Sequence, residues 1–280
     1  MKTFLLSLIL LCAGAIAAPQ AQSEITNIEK ADDLYKIGIA ASKKGDQKKA
    51  IESFNQALYY AKLPEIYNAR GIAYYEQNDY KKAIEDFNAA LKLDANYSYA
   101  HYNRANANYR SGDAQKAIED YGQALKIDAK YLHAYANRAN AYLSLGDLQK
   151  AIEDFTVAIK LDPNSAPVYA SRGLAYASLG DQKKAISDYD QAIKLDPKNA
   201  VTYYHRGIAR HFSGEIQAAI SDYDRAIKLD PNLARAYSNR GSAYGQINDL
   251  KNAAINAKKA CDLGDCNLLG YMKENGLLRE

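Results

Sequence analysis

The sequence lacks an excess of charge of either sign, contains no Trp, and has only three Cys and four His. Its 36 basic and 33 acidic residues are spread along the chain and leave a net charge of +3. This balance, without a basic stripe or an RNA-type aromatic motif, argues against a protein that binds the phosphate backbone of nucleic acids. With 48% apolar and 25% charged residues, the 280-residue chain is globular rather than disordered.

Motifs of catalysis and cofactor binding are also lacking. The sequence has no Gly-rich phosphate loop, no nucleophile elbow and no credible catalytic triad. His205 and His211 are six residues apart, whereas spacings of three or four place two ligands on one helical face. We therefore expect no enzyme, cofactor or metal site, and a metal or enzyme site that uses His205 and His211 is a distant alternative.

The long apolar run is confined to the first residues, MKTFLLSLILLCAGAIAAPQ. Ala15-Ile16-Ala17 fits the A-x-A pattern before a signal-peptidase site, which predicts cleavage after Ala17. An uncleaved anchor is the alternative, but the run is shorter than the ~20 residues of a membrane span. Because no later segment is apolar enough to cross a bilayer, we expect residues 1–17 to be a signal peptide. The protein would then be exported to a bacterial periplasm or the extracellular space.

Cleavage would leave Cys261 and Cys266 in a compartment where disulfides persist. They lie five residues apart in CDLGDC, across an expected helix end. A local disulfide would close a small loop, so its entropic gain would be small. Two unpaired thiols are the other possibility, and the sequence does not decide between them.

Aromatic residues are mainly Tyr, with 24 copies, and they belong to a repeat. The run Lys-Ala-Ile-Glu-Asp-Phe/Tyr starts at Lys82, Lys116 and Lys150, with variants at Lys184 and Ala218. Its small second residue recurs first after 33 residues and then after every 34. These positions are Ala50, Ala83, Ala117, Ala151, Ala185, Ala219 and Ala253. A period of this length is typical of a solenoid.

Each repeat has the pattern of two helices. In residues 132–165, an apolar stripe at spacings of three and four precedes Gly146-Asp147, a second stripe follows, and Pro163 ends it. At the position of Gly146 only Gly and Asn occur, as a left-handed helix C-cap requires. The seven residues are Gly45, Asn78, Gly112, Gly146, Gly180, Gly214 and Asn248. The next residue is always acidic, which suits a helix N-terminus.

One repeat carries a complete family pattern of an aromatic residue, Gly, Tyr, Ala, Tyr, Ala and Pro. These residues are Tyr169, Gly173, Tyr176, Ala185, Tyr189, Ala192 and Pro197. The pattern resembles the tetratricopeptide repeat family, and its NRG-type units look like those of bacterial proteins. The resemblance implies an all-α, right-handed superhelical solenoid of seven helix pairs, whose first helices line a concave groove.

The expected organisation follows from this register. A linker at 18–30 precedes seven repeats, and residues 268–280 form a short capping helix with Leu268, Leu269 and Met272 on the open end. The repeats are 31–63, 64–97, 98–131, 132–165, 166–199, 200–233 and 234–267. Ala95 and Ala129 replace the usual Pro, so we expect those two junctions to depend on packing alone. Ala257 replaces the large aromatic residue of the last repeat.

Arg occupies a position of the first helix where the family usually has Leu. The six residues are Arg70, Arg104, Arg138, Arg172, Arg206 and Arg240. Acids recur just before the aromatic residue of the second helix, at Asp86, Asp120, Asp154, Asp188 and Asp222. Because an unpaired buried guanidinium costs several kcal/mol, we expect a structural ladder of ion pairs. Pairing within a repeat and pairing between repeats fit equally well, and a row of ligand-binding Arg is the alternative.

The resemblance also implies which side chains face the groove. The main candidates for peptide binding are Tyr99, Tyr102, Asn103, Asn106, Tyr109, Arg110, Asn137 and Asn140, and Tyr204 and His205 form a second surface. Asn both donates and accepts hydrogen bonds, and Tyr adds contact area at low entropic cost. The alternative is that these are merely solvated residues of the solenoid. The Lys/Asn/Arg set with which some family members clamp a C-terminal carboxylate is not present.

These patterns predict a non-catalytic scaffold that binds a protein or peptide segment in its groove, in cell-envelope assembly. We expect it to be a monomer or weakly self-associating, without nucleic acid and without a membrane span after signal cleavage. A self-associating structural module that docks through its convex face or its ends is the alternative function.

Overall fold

The computed structural model describes residues 18–278, and the predicted signal peptide lies outside them. The described residues form fifteen α-helices and no β-strand, which confirms the predicted all-α class. The helices are α1 (Ala18–Lys43), α2 (Gln47–Tyr60), α3 (Pro64–Glu76), α4 (Tyr80–Leu93), α5 (Ser98–Arg110), α6 (Ala114–Ile127), α7 (Leu132–Ser144), α8 (Leu148–Leu161), α9 (Ala166–Leu179), α10 (Gln182–Leu195), α11 (Ala200–Phe212), α12 (Ile216–Leu229), α13 (Ala234–Gln246), α14 (Leu250–Asp262) and α15 (Asn267–Glu274). Within residues 18–278, no helix has both the length and the apolar character needed to span a membrane.

The described chain divides into two compact units, one up to Ala141 and one from Tyr142 onwards, and the packing rule is the same in each. Helices that are neighbours in the chain pack together, as in α3 on α4 and α11 on α12. First helices of successive repeats also contact each other, α1 with α3 and α3 with α5 in one unit, and α9 with α11 and α11 with α13 in the other. Within each unit, second helices of successive repeats make no such contact among the described residues. Within each unit, the first helices therefore form the more closely packed side, which we call the inner face.

The predicted linker at 18–30 is helical. Helix α1 begins at Ala18 and continues into the first helix of the first repeat without a break. The physical reason is that no Pro or Gly occurs between Pro19 and Gly38, and Pro is tolerated in the first turn of a helix. The first repeat therefore has a longer first helix than the other repeats.

The turns between the paired helices confirm the prediction from Gly and Asn. All seven positions have left-handed backbone conformation, with φ between 61° and 94°. Asn78 and Asn248 are the two non-Gly residues with positive φ in the described chain. Since Asn is the residue that best tolerates this region after Gly, the restriction to two residue types is a backbone requirement.

The acids that follow these turns cap the second helices. In five repeats the Asp carboxylate accepts the backbone N–H three residues on, at 3.0 to 3.2 Å. The capping residues are Asp46, Asp79, Asp113, Asp181 and Asp249. Each of these bonds satisfies an N–H group that the helix itself leaves without a partner.

Acid is expected to weaken these caps. The pKa values of Asp79, Asp113 and Asp181 are lowered from the ordinary Asp value. The larger cause is the hydrogen bond from the side chain of the Lys three residues later, and the second cause is the hydrogen bond from the backbone N–H of the same Lys. A carboxyl whose pKa is lower in the folded state contributes stability above its unfolded pKa and loses it as the pH falls through the folded pKa. We therefore expect the urea midpoint of the wild type to fall below about pH 4 more steeply than that of the triple variant D79N/D113N/D181N. Asn still caps a helix but does not titrate, so parallel pH profiles would contradict this assignment.

The two junctions without Pro do not depend on packing alone, so that expectation is wrong. Asp94 accepts the backbone N–H of Asn96 at 2.9 Å, and Asp128 accepts that of Lys130 at 2.9 Å. The junctions that contain Pro use the same bond, for example from Asn164 to Asp162. Asp at the end of the second helix closes the turn in each case, with or without Pro.

In four repeats the helix pair packs through an aromatic ring of the second helix against a Gly of the first helix. The fully buried ring of Phe87 on α4 lies directly over Gly71 on α3, where an added Cβ would be 2.6 Å from the ring. Tyr189 lies over Gly173 in the same way, and Tyr223 over Gly207. Because the interior is packed this closely, any side chain at these Gly positions would require the aromatic ring to shift.

The last repeat replaces this ring with a residue from the C-terminal cap. Ala257 is too small to reach Gly241, and Leu268 of α15 fills the position, 2.6 Å from where a Cβ at 241 would be. Met272 is 2% exposed and completes the contact. Cys261 and Cys266 form a disulfide, with their Cα atoms 4.0 Å apart, between the end of α14 and the start of α15.

Candidate binding face of the first helices

The arginine ladder pairs within repeats. In four repeats the Arg Nε and one terminal nitrogen donate to the two oxygens of the Asp sixteen residues later, at 2.5 to 2.9 Å. The pairs are Arg70–Asp86, Arg104–Asp120, Arg172–Asp188 and Arg206–Asp222. This two-pronged geometry is the strongest that a guanidinium and a carboxylate can form. In the last repeat, Asn256 replaces the acid and accepts from Arg240 at 2.8 Å.

The remaining terminal nitrogen of each Arg bonds to the preceding repeat. Arg70 donates to Asn55, Arg104 to Asn88, Arg172 to Thr156, Arg206 to Asp190 and Arg240 to Asp224. These acceptors all directly follow the second-helix aromatic residue, a recurring polar position that sequence analysis did not use. Because the guanidinium groups bond to residues of second helices, they lie away from the inner face.

Two members of the ladder sit at the ends of the units. Arg138 of the first unit lies over the ring of Tyr135, 5.7 Å from its centroid. Gly122 directly follows the second-helix aromatic residue, where other repeats carry the side chain that accepts from the Arg of the next repeat. An added Cβ at Gly122 would be 3.7 Å from an Arg138 terminal nitrogen, but Gly has no side chain that could accept a hydrogen bond there. Asp154 of the second unit is buried on α8.

The pKa values of two acids of the ladder are shifted in opposite directions. Burial raises the pKa of Asp86 more than its bonds to Arg70 lower it. Burial also raises the pKa of Asp120, but His101, whose Nδ1 is 3.7 Å from the carboxylate, and the two hydrogen bonds from Arg104 outweigh it and lower the pKa of that carboxyl. Asn108, which donates to Asp120 at 3.1 Å, is a further partner that Asp86 lacks.

The predicted Asn side chains of the inner face bond to one another. Asn137 donates to the Tyr102 hydroxyl at 3.1 Å and to Asn106 Oδ1 at 3.0 Å. The Tyr121 hydroxyl also donates to Asn106 Oδ1, at 2.6 Å. Asn103 donates to Asn68 at 2.9 Å. Much of the hydrogen-bonding capacity predicted for a ligand is therefore used inside the protein.

This network leaves defined atoms for a ligand. Asn106 Oδ1 accepts two hydrogen bonds, which occupy both of its lone pairs, while its amide nitrogen donates none to residues 18–278 and is available to a ligand. Asn137 donates both of its amide hydrogens, while its Oδ1 accepts no hydrogen bond from the described residues and is available as an acceptor. Neighbouring first helices therefore present one oriented donor and one oriented acceptor.

The predicted tyrosines form an aromatic edge beside this network. The Tyr131 ring lies 4.7 Å from that of Tyr102 and 5.5 Å from that of Tyr99, between centroids. Burial raises the pKa of Tyr131, and it raises that of Tyr97 to about 12. Tyr99 is 57% exposed and is the ring of this edge most open to a partner.

Five of the eight predicted residues line one recess of about 120 Å³. They are Asn106, Tyr109, Arg110, Asn137 and Asn140. Tyr75 and Tyr121 complete the lining, and sequence analysis did not select either of them. Tyr121 belongs to a second helix, and its hydroxyl reaches the inner face because its ring crosses the space between the two helices of its repeat. Tyr99, Tyr102 and Asn103 lie outside the recess lining.

The second predicted surface lies in the other unit and has a related geometry. Asn239 donates to the Tyr204 hydroxyl at 3.3 Å, the same relation that Asn137 has to Tyr102. The ring of His205 lies 5.2 Å from that of Tyr204 and 6.2 Å from that of Tyr189. Burial lowers the pKa of His205, which favours its neutral form. Over residues 18–278, no group of three or more His, Cys, Asp or Glu side chains is arranged to hold a metal ion.

The helix pairs, the left-handed turns and the contacts between first helices define a helical-repeat solenoid. The chain belongs to the tetratricopeptide repeat family. A family model described as TPR repeat matches residues 71–112, 139–180, 173–212 and 210–248, and two others described as tetratricopeptide repeat match 98–131 and 34–62 with 234–263. Proteins of this family generally serve as non-catalytic scaffolds for protein–protein interactions. No curated protein sequence matches the chain significantly.

Solved structures show the same fold. The C-terminal part of a TPR repeat-containing protein from Cytophaga hutchinsonii aligns with a TM-score of 0.71 and 21% identity, covering 88% of this chain and 100% of its own. A tetratricopeptide repeat protein from Parabacteroides merdae aligns with a TM-score of 0.64 and 20% identity, covering 88% and 97%. YrrB, described as a TPR protein with an unusual peptide-binding site, aligns with a TM-score of 0.59 and 22% identity, covering 68% and 99%.

Proposed function

We propose that this protein is an exported scaffold that binds an extended segment of a partner protein on the inner face of its first unit, in cell-envelope assembly. The observation that carries the proposal is the recess of about 120 Å³ with oriented amide groups at its wall. An extended segment has unpaired backbone N–H and C=O groups, which match the free Asn137 oxygen and the free Asn106 amide. The aromatic edge at Tyr99 adds contact area beside them.

Two features outside this site support the proposal. YrrB is a structural neighbour with a peptide-binding site, which shows that the fold can hold a peptide in that protein. The predicted signal peptide supports export, and the disulfide between Cys261 and Cys266 suits an oxidising compartment. Mass spectrometry of the protein from its native cells tests export, since cleavage after Ala17 would leave Ala18 as the N-terminus.

Tyr99→Ala and Asn140→Ala are expected to weaken partner binding by roughly 5- to 50-fold each, because hot-spot side chains at interfaces contribute about 1–2 kcal/mol or more. Folding stability should change little, since Tyr99 is 57% exposed and the Asn140 amide makes no hydrogen bond within the described chain. The partner is identified by crosslinking in the native compartment, and its segment is then titrated by calorimetry.

The matched control is Gln123→Ala. Gln123 carries the same amide group but is exposed on α6, a second helix, so its removal should leave binding unchanged. Binding that survives both Tyr99→Ala and Asn140→Ala at full strength would show that the inner face is not the site. Asn137 is a poor choice for this test, because its loss also removes two hydrogen bonds inside the protein.

Self-association is a second candidate function, and the last repeat carries the observation that favours it. A recess of about 650 Å³ there is lined in part by Leu250, Ala254, Ile255 and Leu277, and Ile255 is 56% exposed. Apolar surface of this kind is typical of an interface. A molecular mass that rises with concentration in light scattering would favour this function, whereas a constant monomer mass would exclude it.

A further inference from the structure

Arg110 differs from the ladder arginines because it forms no ion pair with an acid among residues 18–278. Arg70 and Arg104, on neighbouring first helices, each contact a carboxylate at 2.6 Å or less. Among the described residues, no carboxylate lies within 4.0 Å of the Arg110 guanidinium. Glu76, exposed at the end of the preceding first helix, forms no ion pair with it. An Arg without a counter-ion beside a recess is a positive charge available to a ligand.

Two aromatic rings that pack at a tilted angle lie against this cation at the rim of the recess. The Arg110 guanidinium lies over the Tyr80 ring, 5.9 Å from its centroid, and Tyr80 packs on Tyr75 with 5.5 Å between centroids. Cation–π contact of this kind limits the movement of the guanidinium without neutralising it. The group is therefore placed in advance of binding, which reduces the entropic cost of ordering it.

The walls of the recess are rich in hydrogen-bond donors. None of its lining residues is an acid, and the Asn106 side chain, whose amide nitrogen donates no hydrogen bond within residues 18–278, is part of the lining. The Asn140 amide adds a further donor, as it makes no hydrogen bond within the described chain. An apolar side chain in this space would leave these donors unpaired, and a basic side chain would be repelled by Arg110.

We propose that the recess binds the side-chain carboxylate of an Asp or Glu in the partner segment, with Arg110 as its ion-pair partner and the Asn106 amide as a hydrogen-bond donor. This inference rests on the proposed function, because it assigns the chemistry of the segment that the inner face holds. The partner is thus an extended segment with an acidic residue, and the Asn137 oxygen accepts a backbone N–H of the same segment.

The test uses random peptides displayed on phage, selected on the purified full chain, then synthesised and titrated by fluorescence anisotropy. We expect an Asp or Glu at one fixed position of the selected peptides. Changing that Glu to Gln, or changing Arg110→Gln in the protein, should weaken binding by roughly 10- to 100-fold, since a hydrogen bond to a charged group contributes about 1.5–3 kcal/mol. The two changes together should cost little more than either one, because they remove the same contact.

Charge reversal and a matched Arg sharpen the result. Arg110→Glu should bind a peptide with Lys at the fixed position better than the acidic peptide. Arg225→Gln is the control, since Arg225 also lies over a Tyr ring, that of Tyr203 at 5.7 Å, but belongs to the second helix α12. It should leave affinity unchanged. Peptides that depend on Tyr99 but not on any acid would overturn the acidic site alone, and the absence of any binding peptide would overturn the proposed function as well.

Discussion

Phe87→Ala is expected to lower the free energy of unfolding by about 3–5 kcal/mol. The ring is 0% exposed and packs on Gly71 of the same repeat and Ala107 of the next. Its removal therefore opens a cavity that borders two repeats. Because each repeat of a solenoid is stabilised mainly by its neighbours, the loss weakens both the helix pair and its docking.

Gly71→Ala provides a sharper test of this packing. In the wild type the new Cβ would be 2.6 Å from the Phe87 ring, so the ring must shift. In the Phe87→Ala background the same methyl group enters vacated space. We therefore expect Gly71→Ala to be more favourable in that background than in the wild type, by more than the 0.3–0.5 kcal/mol within which independent substitutions add.

Urea titrations followed by circular dichroism give these differences. Tyr59→Ala is the matched control, because Tyr59 is an aromatic residue on a second helix that is 85% exposed. Surface changes of this type usually stay within about 0.5 kcal/mol. Equal losses for Phe87→Ala and Tyr59→Ala would contradict the packing described for the repeat.

Asp222→Ala is expected to cost about 3–5 kcal/mol, because it leaves buried cations without their counter-ion. The Asp222 side chain is 4% exposed and accepts from Arg206 at 2.9 and 2.6 Å and from Arg210 at 2.8 Å. Neither guanidinium can reach bulk water freely, since their side chains are 14% and 21% exposed. Thermal and urea unfolding both report the loss.

The chain itself offers two comparisons for this variant. Asp222→Asn should cost less than Asp222→Ala, because Asn256 fills the same position in the last repeat and accepts from Arg240 at 2.8 Å. Asp190→Ala removes the other acceptor of Arg206, but Asp190 is 47% exposed, so its loss should stay near or below about 1 kcal/mol. A larger effect at Asp190 than at Asp222 would show that burial is not what gives the ladder its strength.

The parts of the fold that were predictable depend on short stretches of chain. A left-handed turn admits Gly and Asn and few other residues, so the seven turns were visible without any tertiary information. The helix of residues 18–30 was missed because a polar segment was interpreted as a linker, although it contains no residue that would end a helix. The Asp at 94 and at 128 was also present in the sequence, but its role in closing the junction shows only in its bond to the backbone.

The site was predictable as a face but not as a set of free atoms. Register alone placed Asn106, Arg110, Asn137 and Asn140 on first helices, and the structure brings them to one recess. Which amide groups remain free depends on bonds between residues 31 to 35 positions apart, such as Asn137 to Asn106 and to Tyr102. Tyr121 was missed because second helices were not expected to reach the inner face.

The sequence by itself determined the repeat length, the helix pairs and the turns, because backbone conformation and apolar spacing act over a few residues. Tertiary structure decided which carboxylate each ladder Arg takes, since the Asp of its own repeat and that of the preceding one are both compatible with its position in the chain. It also decided that Leu268 replaces the aromatic ring missing at Ala257 and that no acid of residues 18–278 pairs with Arg110. These outcomes depend on distances between side chains of separate helices, and only the packed structure fixes those distances.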